Sequence, residues 1–322
     1  MDILLLLLGL AMILVGANML TDGASAVAKR WGVSDLVIGL TVVGFGTSAP
    51  ELVISVLSAI EGHAELAIGN VVGSNIFNIL AIVGITALVR PITVGKGILT
   101  SDIPLVIVSS LALLAMGSGP WLGVGGARMM TRVDGIILLL FFAIFMRYTF
   151  AQAKEAPVSA DDVAEAGDSR RMTVWKSVLW IVVGLGCLIF GGDFFVDGAS
   201  GIAKSLGVSD AVIGLTIVAA GTSLPELATS VISAIKGRPG IAVGNVIGSC
   251  VFNVFMVLGL SGTISPLLFG GISEFDLLTL LAASVLFWVV GWFFRSRTIT
   301  RIEGALMLAL YIAYTVRLVM LA

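Results

Sequence analysis

The chain has 322 residues, 58% hydrophobic and only 12% charged. A water-soluble domain is about 25% charged, so nearly all of this chain is expected to lie in a lipid bilayer. The net charge of −2, with no basic stripe, gives no surface for nucleic acid. Cys187 and Cys250 both fall in apolar runs and read as free, membrane-embedded thiols.

Apolar windows of about 20 residues mark membrane spans. Ten are expected, at 3–28, 33–60, 65–88, 102–118, 133–150, 175–203, 208–235, 240–262, 275–293 and 301–321. The runs are continuous rather than alternating, which indicates helices and not barrel strands. The Leu-rich start resembles a signal peptide but lacks the positively charged leading region. It also matches Trp175–Phe195 of an internal repeat, so it reads as a retained first helix.

That repeat organises the chain. Gly16 to Gly84 matches Gly191 to Gly259 without a gap, and more than half of the positions are identical. Residues 1–150 and 175–322 are thus two homologous halves of about five spans each. Residues 151–174, the one long polar segment, read as a cytoplasmic linker. An odd number of spans per half forces the second half upside down relative to the first. The basic residues agree. All but four of the 18 Lys and Arg fall on one side when loops are assigned alternately; Arg128, Arg132, Lys204 and Arg317 are the exceptions. The positive-inside rule puts both termini outside the cytoplasm. Inverted repeats are the signature of many secondary transporters.

The chemistry lies in a stretch that occurs twice. Gly46-Thr47-Ser48-Ala49-Pro50-Glu51 and Gly221-Thr222-Ser223-Leu224-Pro225-Glu226 each put a helix breaker and a carboxylate inside an apolar run. Span 2, at about 42 Å as a straight helix, exceeds a hydrocarbon core of about 30 Å. It must tilt or break, and Gly44, Gly46 and Pro50 mark a break. Backbone freed there is tolerated at membrane depth only where it lines a cavity or meets a ligand. Thr47, Ser48 and Glu51 then share one helix face, as do Thr222, Ser223 and Glu226. In spans 3 and 8, Asn70, Ser74 and Asn78 recur every four residues, as do Asn245, Ser249 and Asn253.

A carboxylate at the bilayer centre costs about 2.5–3.5 kcal/mol on insertion scales. Two of them brought together become tolerable with cations or protons between them. The donors are all oxygen, which suits a hard cation such as Ca2+ and not a soft transition metal. Cys250, one residue after Ser249, should point off the Ser249/Asn253 face. Ser55, Ser58, Ser230 and Ser233 read as packing residues. Asp22, Asp35, Asp197 and Asp210 read as helix-end caps, and His63 as a solvated loop residue. A passive channel fits two inverted halves meeting at one site less well than alternation does. An intramembrane enzyme fits worst, because there is no nucleophile–base pair.

The doubled pairing of Gly-Thr-Ser-x-Pro-Glu with Gly-Asn-Val-x-Gly-Ser-x-x-Phe-Asn resembles the cation/Ca2+ antiporter superfamily, most closely its prokaryotic sodium/calcium exchangers. The resemblance covers essentially the whole chain. It implies an all-α polytopic membrane protein, ten transmembrane helices forming two inverted five-helix repeats. It implies Na+/Ca2+ antiport in the inner (plasma) membrane, with no cofactor and with inorganic cations and lipid as partners. No protein partner is evident. The implied ion ligands are Thr47, Ser48, Glu51, Ser74 and Asn78, with Thr222, Ser223, Glu226, Ser249 and Asn253. The backbone carbonyls of Gly44 and Ala219 join them at outer Na+ sites. Asn at both 78 and 253 resembles the K+-independent exchangers. Proton-coupled Ca2+ exchange is the alternative. Asn75 and Cys250 break the symmetry of the repeat.

Overall fold

A computed structural model describes residues 1–118, 128–155, 172–207, 219–293 and 297–321. Among the described residues the regular structure is helical apart from four two-residue strands. Among the described residues, eight helices are long and apolar enough to span a membrane, and a bent pair makes a ninth. The helices are α1 (Asp2–Trp31), the bent pair α2 (Asp35–Thr47) and α3 (Ala49–Ile60), α4 (Glu65–Val89), α5 (Ile98–Gly117), α6 (Arg132–Glu155), α7 (Val174–Ser205), the short α8 (Ala219–Gly221), α9 (Leu224–Ile235), α10 (Pro239–Ile264), α11 (Glu274–Phe293) and α12 (Arg301–Leu321). The expected span over 208–235 is described only from Ala219 onward, and most of the expected linker lies outside the described residues.

The break in span 2 falls where Gly46 and Pro50 predict it, with a bend of 47° between α2 and α3. Pro50 lies in the first turn of α3 and Pro225 in the first turn of α9. A missing N–H costs nothing there, because first-turn N–H groups have no partner within the helix. Among the described residues four segments widen to π-helical winding: Gly39–Val43, Phe77–Ile82, Ile98–Asp102 and Phe252–Leu258. The apolar pattern carried no signal for this. Such windings concentrate at functional sites, and two of these contain Asn78 and Asn253.

Burial identifies the centre. In their most apolar stretches α4 and α10 are 83% and 94% buried, against 17–44% for the other six single-helix spans. The broken elements pack on this pair, and the long exposed faces of α1, α6, α7 and α12 are the lipid-facing surface. Exposed Leu, Ile and Val there need no polar cover in a bilayer.

Equivalent helices of the two halves run antiparallel. Along α1 and α7, Gly9 meets Gly191, Gly16 meets Gly184 and Gly23 meets Ser177. Along α5 and α11, Gly117 meets Leu277, Ser110 meets Ser284 and Leu99 meets Gly291. The two Ser hydroxyls are 2.9 Å apart. The strands repeat the relation. β1 (Ile92–Thr93) pairs with β4 (Thr298–Ile299), and β2 (Met129–Met130) pairs with β3 (Leu267–Leu268), both antiparallel. β1 and β3 follow equivalent helices, so one ladder is the repeat image of the other. Each lies beside an equivalent bond: Arg301 donates to the Leu88 carbonyl (2.9 Å) and Arg132 to that of Ile264 (3.3 Å). Two halves related by a half-turn in the membrane plane give this pattern.

The loops expected on the basic side gather at one end. Arg90 donates to the carbonyls of Ala234 and Ile235 at 3.2 and 3.3 Å. Lys236 pairs with Asp22 at 2.6 Å and Arg238 with Asp35 at 3.4 Å. These pairings correct the capping expectation. Asp22 and Asp197 lie within α1 and α7, and the cap of α2 is Ser34, whose hydroxyl accepts from the Val37 N–H. Asp210 lies outside the described residues. His63 is exposed, as expected.

The α1–α7 seam is a backbone contact. A Cβ on Gly16 would stand 2.7 Å from the Gly184 carbonyl oxygen, and one on Gly184 2.9 Å from that of Gly16. Overpacking of this kind costs about 1–3 kcal/mol. Gly16→Ala is therefore expected to lower the melting temperature in detergent, while Gly97→Ala, with open space around it, leaves it unchanged. Equal melting of the two variants would contradict the close seam.

Candidate ion-binding site

The sequence placed two carboxylates after two helix breaks, and the fold brings both breaks to the centre. Glu51 lies in the first turn of α3 and Glu226 in the first turn of α9. Helix N-termini favour negative charge there. Both side chains are fully buried.

The two motifs cross. The Ser48 hydroxyl donates to Glu226 Oε1 at 2.8 Å, and the Ser223 hydroxyl donates to Glu51 Oε1 at 3.2 Å. Each carboxylate is thus held by the serine of the opposite half. Ser74, on α4, donates to the same Glu51 oxygen at 3.5 Å. Ser249, on α10, donates to the Gly44 carbonyl at 3.2 Å. Thr47 donates to Asn245 Oδ1 at 3.0 Å.

Asn70 and Asn245 have matching jobs. Asn70 Nδ2 reaches the Glu51 carbonyl (3.3 Å) and Ser55 Oγ (3.0 Å). Asn245 Nδ2 reaches the Glu226 carbonyl (3.1 Å) and Ser230 Oγ (2.9 Å). Each amide fixes the turn that carries its own half's glutamate. Their place on the polar stripes was legible, but this bracing of the backbone was not. Ser55 and Ser230 are packing residues of a polar kind, and Ser233 bonds Thr21 of α1 at 3.0 Å.

What remains is a set of buried polar atoms, five oxygens and one amide nitrogen, without full hydrogen-bond partners. Glu51 Oε2, Glu226 Oε2, both side-chain atoms of Asn78, Asn253 Oδ1 and Thr222 Oγ1 are buried and make no hydrogen bond. Buried polar atoms are partnered in more than about 90% of cases. Six of the fourteen unpartnered side-chain atoms among the described residues lie on the doubled motif. Among the described residues no group of three or more His, Cys, Asp or Glu could hold a metal. The donors are carboxylate, hydroxyl, amide and carbonyl oxygens, the set that suits a hard cation.

Of the expected ligands, Ser48, Glu51, Ser74, Ser223 and Glu226 are linked by direct bonds. Thr47, Gly44 and Ser249 form an adjoining cluster. Thr222, Asn78 and Asn253 bring unpartnered atoms. Ala219 opens the turn α8, next to residues outside the description. Asn75, left without a role by the sequence, bonds across the halves to both Asn253 and the Cys250 carbonyl.

Up to nine candidate spans among the described residues, set around a buried cage of oxygens, define a polytopic helical membrane protein of the transporter class. Comparison with known proteins makes the class specific. The profile of the sodium/calcium exchanger protein family matches residues 1–151 and 176–320. The putative antiporter CaxA of Alkalimonas amylolytica is 36% identical over 96% of this chain and 95% of its own. The sodium/calcium exchanger MaX1 of Methanosarcina acetivorans is 32% identical over 98% of this chain and 97% of its own. A structure of the sodium-calcium exchanger NCX_Mj soaked with 2.5 mM Na+ and 0.1 mM Ca2+ superimposes with a TM-score of 0.81 at 31% identity, covering 97% of this chain and 96% of that one. The chain belongs to the sodium/calcium exchanger family, within the cation/Ca2+ antiporter superfamily, and has its fold.

Two buried carboxylates without a counter-charge cost stability, and a ligand that binds only the folded state adds about 2.7 kcal/mol at 100 times its Kd. In cation-free buffer Glu51→Gln and Glu226→Gln are expected to melt at or above the wild-type temperature. Added Ca2+ should then raise the melting point of the wild type and of neither variant. Equal Ca2+ stabilisation of all three, followed by scanning calorimetry or fluorescence, would remove these carboxylates from the site.

Proposed function

We propose that this chain is a Na+/Ca2+ antiporter working by alternating access, its ions held between the two Gly-Thr-Ser-x-Pro-Glu motifs. The observation that carries the reading is the crossed pairing, in which Ser48 holds Glu226 and Ser223 holds Glu51, each carboxylate keeping one oxygen free. Two carboxylates balance one Ca2+. With the hydroxyls, amides and carbonyls they supply enough oxygens for its 6–8-fold shell. The ligand set is Thr47, Ser48, Glu51, Ser74 and Asn78, with Thr222, Ser223, Glu226, Ser249 and Asn253, and the carbonyls of Gly44 and Ala219. Several Na+ ions sharing the same carboxylates displace Ca2+, so the two cations compete and exchange. No step forms or breaks a covalent bond, and the chain acts as a carrier rather than an enzyme.

Support for Na+ as the counter-ion comes from the relatives, of which MaX1 is called a sodium/calcium exchanger. Both termini lie outside the cytoplasm in this reading, with the end that carries Arg90, Lys236, Arg238 and Arg301 inside. The basic residues of that end and the positive-inside rule support it. In right-side-out vesicles an impermeant thiol reagent should label His63→Cys and not Lys96→Cys, on a background in which Cys187 and Cys250 are replaced by Ala. The reverse labelling would turn the protein over.

The deciding measurement is 45Ca2+ uptake into proteoliposomes loaded with Na+. An outward Na+ gradient should drive uptake, and Glu51→Gln or Glu226→Gln should cut it at least about tenfold, the scale of roughly 1.4 kcal/mol of lost binding. Uptake driven by a pH gradient in Na+-free buffer would replace Na+ with protons. Flux that neither saturates nor needs a counter-ion would mean a channel.

A further inference from the structure

Among the polar residues of the cage, the two halves differ at one pair of equivalent positions. Asn75 and Cys250 are equivalents in the repeat, each one residue after the serine of its motif. Both side chains are fully buried. Asn75 Nδ2 donates to the backbone carbonyl of Cys250 at 3.1 Å. Its Oδ1 accepts from Asn253 Nδ2, also at 3.1 Å. Asn253 Oδ1 is left buried without a partner.

The chain of bonds has a fixed sense. A backbone carbonyl can only accept, so the end of Asn75 facing Cys250 is its NH2 group. The other end is then the amide oxygen, and the end of Asn253 facing it must donate. The Asn253 oxygen is thereby turned away from Asn75. A thiol at position 75 could not do this, because it offers one weak donor and one weak acceptor on a single atom. In the other half the thiol of Cys250 stands where Asn75 would. Asn78, the equivalent of Asn253, meets the Cys250 thiol and makes no bond in full hydrogen-bond geometry.

We infer that Asn75 is a positioning residue for cation binding: it locks the Asn253 amide with its oxygen toward the ion, a sense that the Cys250 thiol does not impose on Asn78. This rests on the exchange reading above and deepens it. The two amides, identical in the repeat, take different parts. Asn253 is a preset oxygen ligand, and a preset ligand spares the binding step the ordering of a side chain. Asn78 faces a thiol that can donate or accept through one atom, and so fixes neither end of its amide. The cage is thus lopsided although its carboxylates are symmetric.

A double-substitution cycle tests it. Asn75→Leu removes both bonds at similar volume, and Asn253→Ala removes the ligand. The half-saturation concentration for Ca2+ is read in proteoliposomes against a Na+ gradient and, separately, against a pH gradient. If Asn75 acts through Asn253, each single variant raises the half-saturation concentration about tenfold, and the double variant is no worse than Asn253→Ala alone. Melting temperatures without Ca2+ accompany each variant; Asn75→Ser takes the place of Asn75→Leu if the latter does not purify. Effects that multiply in the double variant, or a fall in the Ca2+-free melting temperature with unchanged half-saturation, would make Asn75 a packing residue and overturn the inference. A wild type with no saturable flux under either gradient overturns the exchange reading itself and the inference with it. Saturable flux with multiplying effects overturns the inference alone.

Discussion

Two acidic side chains held in a dry interior are the constraint around which the rest of the molecule is built. Charge in a low-dielectric core is costly unless donors or opposite charge surround it. The fold meets part of that demand with hydroxyls taken crosswise from the partner half, and leaves the rest open. The serine of each motif serves the opposite carboxylate, so neither half completes a site alone. Asn70 and Asn245 then fix the backbone beneath each glutamate. The order of dependence runs from the chain break, through the brace, to the charge.

Breaks and repeats were the legible part. The Gly and Pro residues around Thr47 predicted a broken helix because Pro lacks an N–H and Gly tolerates unusual backbone, and the chain bends there. The gapless match of Gly16–Gly84 with Gly191–Gly259 predicted two homologous halves, and the odd number of spans in each predicted equivalent helices in opposed directions. The meetings of Gly9 with Gly191 and of Ser110 with Ser284 bear that out. The acidic residues after the breaks and the four-residue polar stripes named the side chains that converge.

Other features depended on partners far away in the chain. Asp22 and Asp35 look like caps because both lie near basic or polar turn sequence. They are ion-paired with Lys236 and Arg238, more than 200 residues away, and a local pattern cannot show that. The π-helical segments around Asn78 and Asn253 leave no trace in an apolar run, since one extra residue in a turn changes no composition. Asn75 stood out only as a break in the repeat. Its meaning depends on the direction of two hydrogen bonds, which follows from the carbonyl it faces.

The paired strands at the two ends have a mechanical consequence. One ladder, β1 with β4, joins the halves at one end, and its image, β2 with β3, joins them at the other. A seesaw motion of one entire half against its twin would tear at least one of these stitches. The α1–α7 pair carries no such stitch. Its glycines close the seam between its own two helices, and its described side-chain bonds to the centre, Thr21 with Ser233 and Lys236 with Asp22 and the Asn18 carbonyl, lie toward one end. The pair is therefore the part of this architecture least fastened to a frame that is stitched at both ends.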